Sequence, residues 1–252
     1  MKSTLVFQFL TATLIALLLA ACGGGGGSAA VSAPAAGKVW GVVLAIDIVA
    51  NDADDPQIAV GANGNAIAVW EQDNGTGGTG VEVEDIWVSH YDATTGNWSA
   101  ARTIDTGVGS TGDPQIAIDA AGNAIAVWEQ SNNTTVEVNI RTARYTVGIG
   151  WAQPETIDSV SGDATDPQIA IDAAGNAIVV WEQDDGTGTF IEDIWVNRYT
   201  AGAWGTAERI ETGAGDAYDS QIAVDVNGNA IVVWEQDNPS TSVDDVMANT
   251  YR

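Results

Sequence analysis

Cysteine, histidine and basic residues are scarce in this chain, and each scarcity narrows its chemistry. Cys22 is the one cysteine, so no disulfide can form within the chain. His90 is the one histidine, which leaves no Cys/His metal cluster and disfavours a Ser-His-Asp nucleophile. Eight Lys and Arg stand against 34 Asp and Glu, for a formal net charge of -26. Nucleic-acid binding needs the opposite sign, and anionic lipid headgroups repel such a chain. No Gly-rich phosphate loop follows a strand and opens a helix. No stretch has EF-hand spacing, and beyond the leader none has helical periodicity.

The leader itself is legible. Lys2, the apolar run Leu5–Leu19 and a small-residue tail read as an export signal over residues 1–21, too short to span a membrane. Gly23–Gly27 and the Ala/Ser/Gly stretch that follows, to residue 38, form a flexible tether. Leu19-Ala20-Ala21-Cys22 resembles the lipobox of bacterial lipoproteins. The resemblance implies cleavage before Cys22, a diacylglyceryl group on its sulfur and, with Gly23 next, residence at the outer membrane. The lipid bilayer is therefore an expected partner through Cys22.

What fills residues 39–252 is repetition. Asp166-Pro-Gln-Ile-Ala-Ile-Asp172-Ala-Ala-Gly-Asn176-Ala-Ile-Val-Val-Trp181-Glu-Gln183 recurs from Asp55, Asp113 and Asp219, at spacings of 58, 53 and 53 residues. Such periods belong to stacked supersecondary units. Gln168–Asp172 alternates as a strand. Asp172-Ala-Ala-Gly175-Asn176 is a tight turn, with Asp bonding forward along the backbone and Gly accepting positive φ. Ala177–Gln183 is apolar on both faces, so it is covered on both. Glu192–Tyr199 and Trp204–Ile210 read as third and fourth strands. Four short antiparallel strands per repeat, stacked face to face, describe a propeller blade.

The chain ends suggest how the blades close. Trp98, Trp151 and Trp204 each precede the next repeat's Asp by 15 residues, and Trp40 precedes Asp55 by the same 15. A fourth-type strand, Trp40–Asp47, thus stands before the first repeat, while the last repeat stops after its third strand. The expectation is a closed all-β ring of four blades, with an open array and half of a larger dimeric propeller as the alternatives. The hairpin looks like that of NHL-type propeller repeats, which implies the same fold. The whole chain is similar to repeat-bearing propeller lipoproteins of bacterial envelopes, a group without one shared activity.

Eight tryptophans occupy repeat-equivalent places, and blade packing accounts for them. Trp87 and Trp195 correspond to Arg141 and Met247 in the other repeats, so packing does not require Trp there and they are candidate surface contacts. Acidic residues gather in the connections from strand two to three and from strand four to the next repeat. These lie on one side of the ring. Near its axis the strand-one starts bring Asp55, Asp113, Asp166 and Asp219 together with Gln57, Gln115, Gln168 and Gln221. Carboxylates and amides are oxygen ligands suited to calcium, and haemopexin-like propellers hold cations at this place. The ring is therefore a candidate cation or ligand site. Because the carboxylates recur in every repeat, and the Arg cluster of sialidase propellers is not evident, the expectation is a non-catalytic binding or scaffold module for cations, carbohydrate or a protein. The alternative is a glycoside hydrolase or sialidase-like enzyme working through acidic-face carboxylates.

Overall fold

A computed structural model describes residues 39–47, 51–76, 83–106, 109–131, 137–158, 161–184, 191–241 and 243–252. The proposed signal, Cys22 and the tether lie outside them. The chain divides into Met1–Val43 and Leu44–Arg252; of the first unit, Val39–Val43 are described, exposed and without strand structure.

The second unit is all-β, with antiparallel sheets and no helix among the described residues. Sheet 1 contains β1 (Ala53–Val60), β2 (Ala66–Asp73), β3 (Glu84–Asp92), β4 (Asn97–Trp98) and β5 (Arg102–Thr103). Sheet 2 contains β6 (Thr111–Ile118), β7 (Ala124–Ser131), β8 (Val138–Thr146), β9 (Gly150–Trp151) and β10 (Glu155–Thr156). Sheet 3 contains β11 (Ala164–Ile171), β12 (Ala177–Asp184), β13 (Glu192–Thr200), β14 (Ala203–Trp204) and β15 (Glu208–Arg209). Sheet 4 has three strands, β16 (Ala217–Val224), β17 (Ala230–Asn238) and β18 (Val243–Tyr251). Each repeat therefore makes one sheet. The expected fourth strand is two short pieces, both paired with the third strand, as β14 and β15 pair with β13.

The second strands β2, β7 and β12 are buried on both faces, as their composition requires, while β17 buries one. Successive sheets interlock through them. Ile125 and Val127 of sheet 2 pack with Ala177, Val179 and Trp181 of sheet 3. Trp128 and Trp181 are fully buried in this way. Two residues on, and so on the same face, a glutamine accepts the indole N–H. Trp181 Nε1 donates to Gln183 Oε1 at 2.9 Å, and Gln183 Nε2 donates onward to the Gly162 carbonyl at 3.0 Å. The same link joins Trp70 to Gln72 and Trp234 to Gln236. The Trp-x-Gln spacing thus satisfies a buried donor in sheets 1, 3 and 4; in sheet 2 the Trp128 indole N–H and the Gln130 amide make no such bond.

The hairpins behave as read. Asp172 Oδ1 accepts the N–H groups of Ala174 and Asn176, and Oδ2 accepts the Asn176 amide at 2.8 Å. Gly175 adopts φ 85°.

Closure is where the sequence reading and the structure part. The inner strands stack in order, β1 on β6, β6 on β11 and β11 on β16. No such packing joins β16 to β1 among the described residues. Trp40–Asp47 forms no strand, and no described strand pairs with the outer edge of β18. Ile46 instead packs beside Trp70 and Ala68, as Ile104 packs beside Trp128 at the next junction. Residue 46 thus keeps its repeat relation to the sheet that follows it. The two outer faces stay uncovered: Ile58 and Val60 on sheet 1, Ile231, Val233 and Val246 on sheet 4. Each junction is spaced by its own packed side chains, and three such steps leave β16 away from β1.

Candidate functional site

Each strand-one start is bent by a bulge. In β11 the register slips between Thr165 and Gln168, and the other first strands slip at the equivalent place. At the bulge Asp55, Asp113, Asp166 and Asp219 have φ of 44°, 49°, 52° and 53°. Asp tolerates this left-handed region better than most residues. A bulge re-aims its side chain and often borders a site. All four Asp are exposed. Gln57, Gln115 and Gln168 come just after the bulge, half-buried, and Gln221 is exposed there.

The bulged N–H of each Asp needs an acceptor, and the preceding sheet supplies one. Glu71 Oε1 accepts from Asp113 at 2.6 Å, Glu129 Oε1 from Asp166 at 2.7 Å, and Glu182 Oε1 from Asp219 at 2.6 Å. These links bridge 42, 37 and 37 residues of chain. Glu235 holds the same position in sheet 4 and is exposed without such a link. The structure thus joins the predicted Asp positions to glutamates absent from the predicted set. Their signal was the Trp-Glu-Gln triplet, a charged residue repeated in a strand otherwise apolar on both faces.

Burial and crowding keep these glutamates protonated. Burial pushes Glu129 from 4.5 to about 7, and the neighbouring Asp113 and Asp166 carboxylates, with a side-chain hydrogen bond to Asp113, push the same way. Glu71 rises to about 8 by burial and then Glu84. Glu182 rises to about 8 by burial and then Asp166. Asp166 itself, though its residue is exposed, is raised by partial desolvation and then by Asp113 and Asp219. Carboxylates this close cannot all ionise, so one keeps a proton that its neighbour shares.

Two triads are tight enough to chelate. Asp55, Glu71 and Asp113 offer oxygens within 4.8 Å of one another, as do Asp113, Glu129 and Asp166. Three hard oxygens are about half of a calcium shell, and the paired glutamates must first lose their protons. Trp87 and Trp195, the other predicted contacts, are half-buried, opposite Trp70 and Trp181 across the strands. Trp87 packs beside Trp70 and Ala101, and Trp195 beside the Trp181 cluster.

No family model matches the sequence, and no curated protein matches it. Solved structures do. The fold is similar to the Hadza microbial sialidase Hz136, with a TM-score of 0.55 at 13% identity, over 78% of this chain and 44% of that one. It is similar to the GH93 α-L-arabinofuranosidase of Fusarium graminearum, with a TM-score of 0.54 at 12% identity, over 77% and 60%. A third likeness is to the Penicillium chrysogenum α-L-arabinanase, with a TM-score of 0.53 at 11% identity, over 78% and 62%. This chain spans less than two thirds of each. At such identities the likeness gives the fold, which is β-propeller-like.

The expectation of a non-catalytic binding or scaffold module is corrected here. The similar structures are glycoside hydrolases, so the alternative reading of the carboxylates is the better supported one. Recurrence in every repeat had counted against a catalytic site. The three junctions each set a glutamic acid against the next repeat's aspartate.

Proposed function

We propose that this chain hydrolyses glycosidic bonds at the mouth formed by Glu129, Asp113 and Asp166. The observation that carries the reading is the Glu129–Asp113 pair, which share a hydrogen bond while Glu129 stays protonated up to about pH 7. Glycoside hydrolysis needs one carboxyl group that keeps its proton and one that does not. Glu129 gives its proton to the leaving glycosidic oxygen. An Asp113 carboxylate oxygen bonds to the anomeric carbon as the bond to that oxygen breaks. Glu129, now ionised, takes a proton from water, which displaces Asp113 and frees the sugar.

The four sheets act in this reading as successive blades of one propeller. Anchorage at the outer membrane through a lipidated Cys22 keeps the enzyme beside envelope or extracellular polysaccharide. Cys22→Ser should release it from the membrane fraction, and unchanged fractionation removes the anchor.

The test of the reaction is a panel of chromogenic aryl glycosides, arabinofuranosides and sialosides included, with product configuration followed by proton NMR. Glu129→Gln should lower kcat by about 10²–10⁴, and Asp113→Asn should abolish turnover. Absence of turnover on every substrate, or full activity in both variants, overturns the proposal.

A further inference from the structure

A second crevice lies on the hairpin side, opposite the carboxylate mouth, between sheets 1 and 2. Its volume is about 460 Å³. The equivalent crevice between sheets 3 and 4 is lined by matching repeat positions and holds about 200 Å³. Two departures from the repeat stand in sheet 1 there, beside a longer β3–β4 turn that adds Thr95 and Asn97 to the lining.

The first is Gly61, which stands where sheets 2 and 3 carry Asp119 and Asp172. Those carboxylates fill the space against the next hairpin: a Cβ on Gly175 would stand 2.9 Å from Asp119 Oδ2, and one on Gly228 3.2 Å from Asp172 Oδ2. Gly61 puts nothing there. Asn123 and Asn176 donate their side-chain amides to those carboxylates at 2.8 Å. Asn65, their equivalent, keeps only the other contact, its Oδ1 accepting the Ala93 N–H at 3.0 Å as Asn123 Oδ1 accepts the Val147 N–H at 3.1 Å. Among the described residues its Nδ2 has no carboxylate to serve, and Asn65 lines the crevice.

The second departure is His90, which stands where the next sheets carry Arg144 and Arg198. Those guanidinium groups lie over Tyr199 and Tyr251 at 5.7 and 4.9 Å. His90 lies on Tyr145 with ring centroids 4.6 Å apart, and it is shorter. Its Nε2 accepts the Trp151 indole N–H at 3.2 Å, so the ring proton sits on Nδ1. Burial, and then Arg102, holds its pKa near 4, so the imidazole is neutral.

One anion and one cation are thus missing from this crevice alone. What remains is Trp98, Tyr91 and Tyr145, with Asn and His hydrogen-bonding groups between them. Aromatic faces with a few polar groups, in a concavity of this size, fit a small polyhydroxylated ligand. Asp92, also on the lining, opposes an anionic one. We propose that the crevice between sheets 1 and 2 binds a neutral saccharide, separately from the carboxylate mouth and whether or not that mouth is catalytic.

The test is calorimetry and saturation-transfer NMR on the full chain with cellobiose, xylobiose and galactobiose, with digalacturonate as the anionic control. At least one neutral disaccharide should bind and digalacturonate should not. Gly61→Asp and His90→Arg restore the residues of the other sheets, so both should fold, and each should weaken binding by at least about tenfold. Trp98→Ala should do the same. Glu129→Gln should bind as the parent does. The proposal is overturned by an absence of binding for every neutral disaccharide. It is equally overturned by parent-like binding in both Gly61→Asp and Trp98→Ala, or by loss of binding in Glu129→Gln.

Discussion

Glu129→Gln isolates one proton. The glutamine keeps an oxygen for the Asp166 N–H and an N–H for the Asp113 carboxylate, so the geometry survives while the titration disappears. In the folded protein Glu129 titrates near 7, against 4.5 when unperturbed. At ~1.4 kcal/mol per pKa unit this gap corresponds to roughly 3 kcal/mol. Water at the mouth and salt reduce it to about 1–2 kcal/mol. The direction follows from proton counting. Below about pH 4.5 both states hold the proton, and nothing is lost. Between about 4.5 and 7 the unfolded chain releases it and the fold does not, so parental stability falls as pH rises. Above about 7 both states are ionised and the loss is constant. The stability advantage of Glu129→Gln should therefore grow by about 1–2 kcal/mol across that window. Urea unfolding of both proteins, followed by tryptophan emission at about pH 4.5, 6 and 8, measures it. Parallel curves would mean that Glu129 ionises as an ordinary carboxylate, and the assignment of a neutral-pH proton donor would fall with them.

Two further expectations concern the same junctions. Millimolar calcium should raise Tm at about pH 8.5, where Glu71 and Glu129 have given up their protons, and leave it unmoved at about pH 5; an unmoved Tm at both removes the triads as a metal site. Trp181→Ala should cost about 3–5 kcal/mol, because a fully buried indole between sheets 2 and 3 leaves a cavity and an unpaired Gln183 contact; a loss below ~1 kcal/mol in urea unfolding would show that the junction does not depend on it.

The repeat made much of the fold legible. Alternation in Gln168–Asp172 gave a strand, Asp172 to Asn176 gave the hairpin, and the two-faced apolar run to Gln183 gave a covered strand. These are local properties, settled within a few residues. The broken fourth strand was not legible, because Trp204 and Arg209 pair with β13 at separate places and the sequence between them carries no turn signal. The Asp positions at the mouth were found from topology. Their glutamate partners were not, since Glu129 reads as the solvated end of a strand until Asp166, 37 residues later, is folded against it.

The sequence by itself determined a fourfold repeat of antiparallel strands with the second-strand tryptophans in the interior, because period and turn chemistry are written residue by residue. Only the tertiary structure decided the rest. It left the outer faces of sheets 1 and 4 uncovered, paired each buried glutamate with the next repeat's aspartate, and opened one crevice wider than its counterpart. Each of these depends on what a neighbouring sheet brings within a few ångströms. There a missing carboxylate at Gly61 or a shorter ring at His90 changes volume and charge together, at positions that look like ordinary variation along the chain.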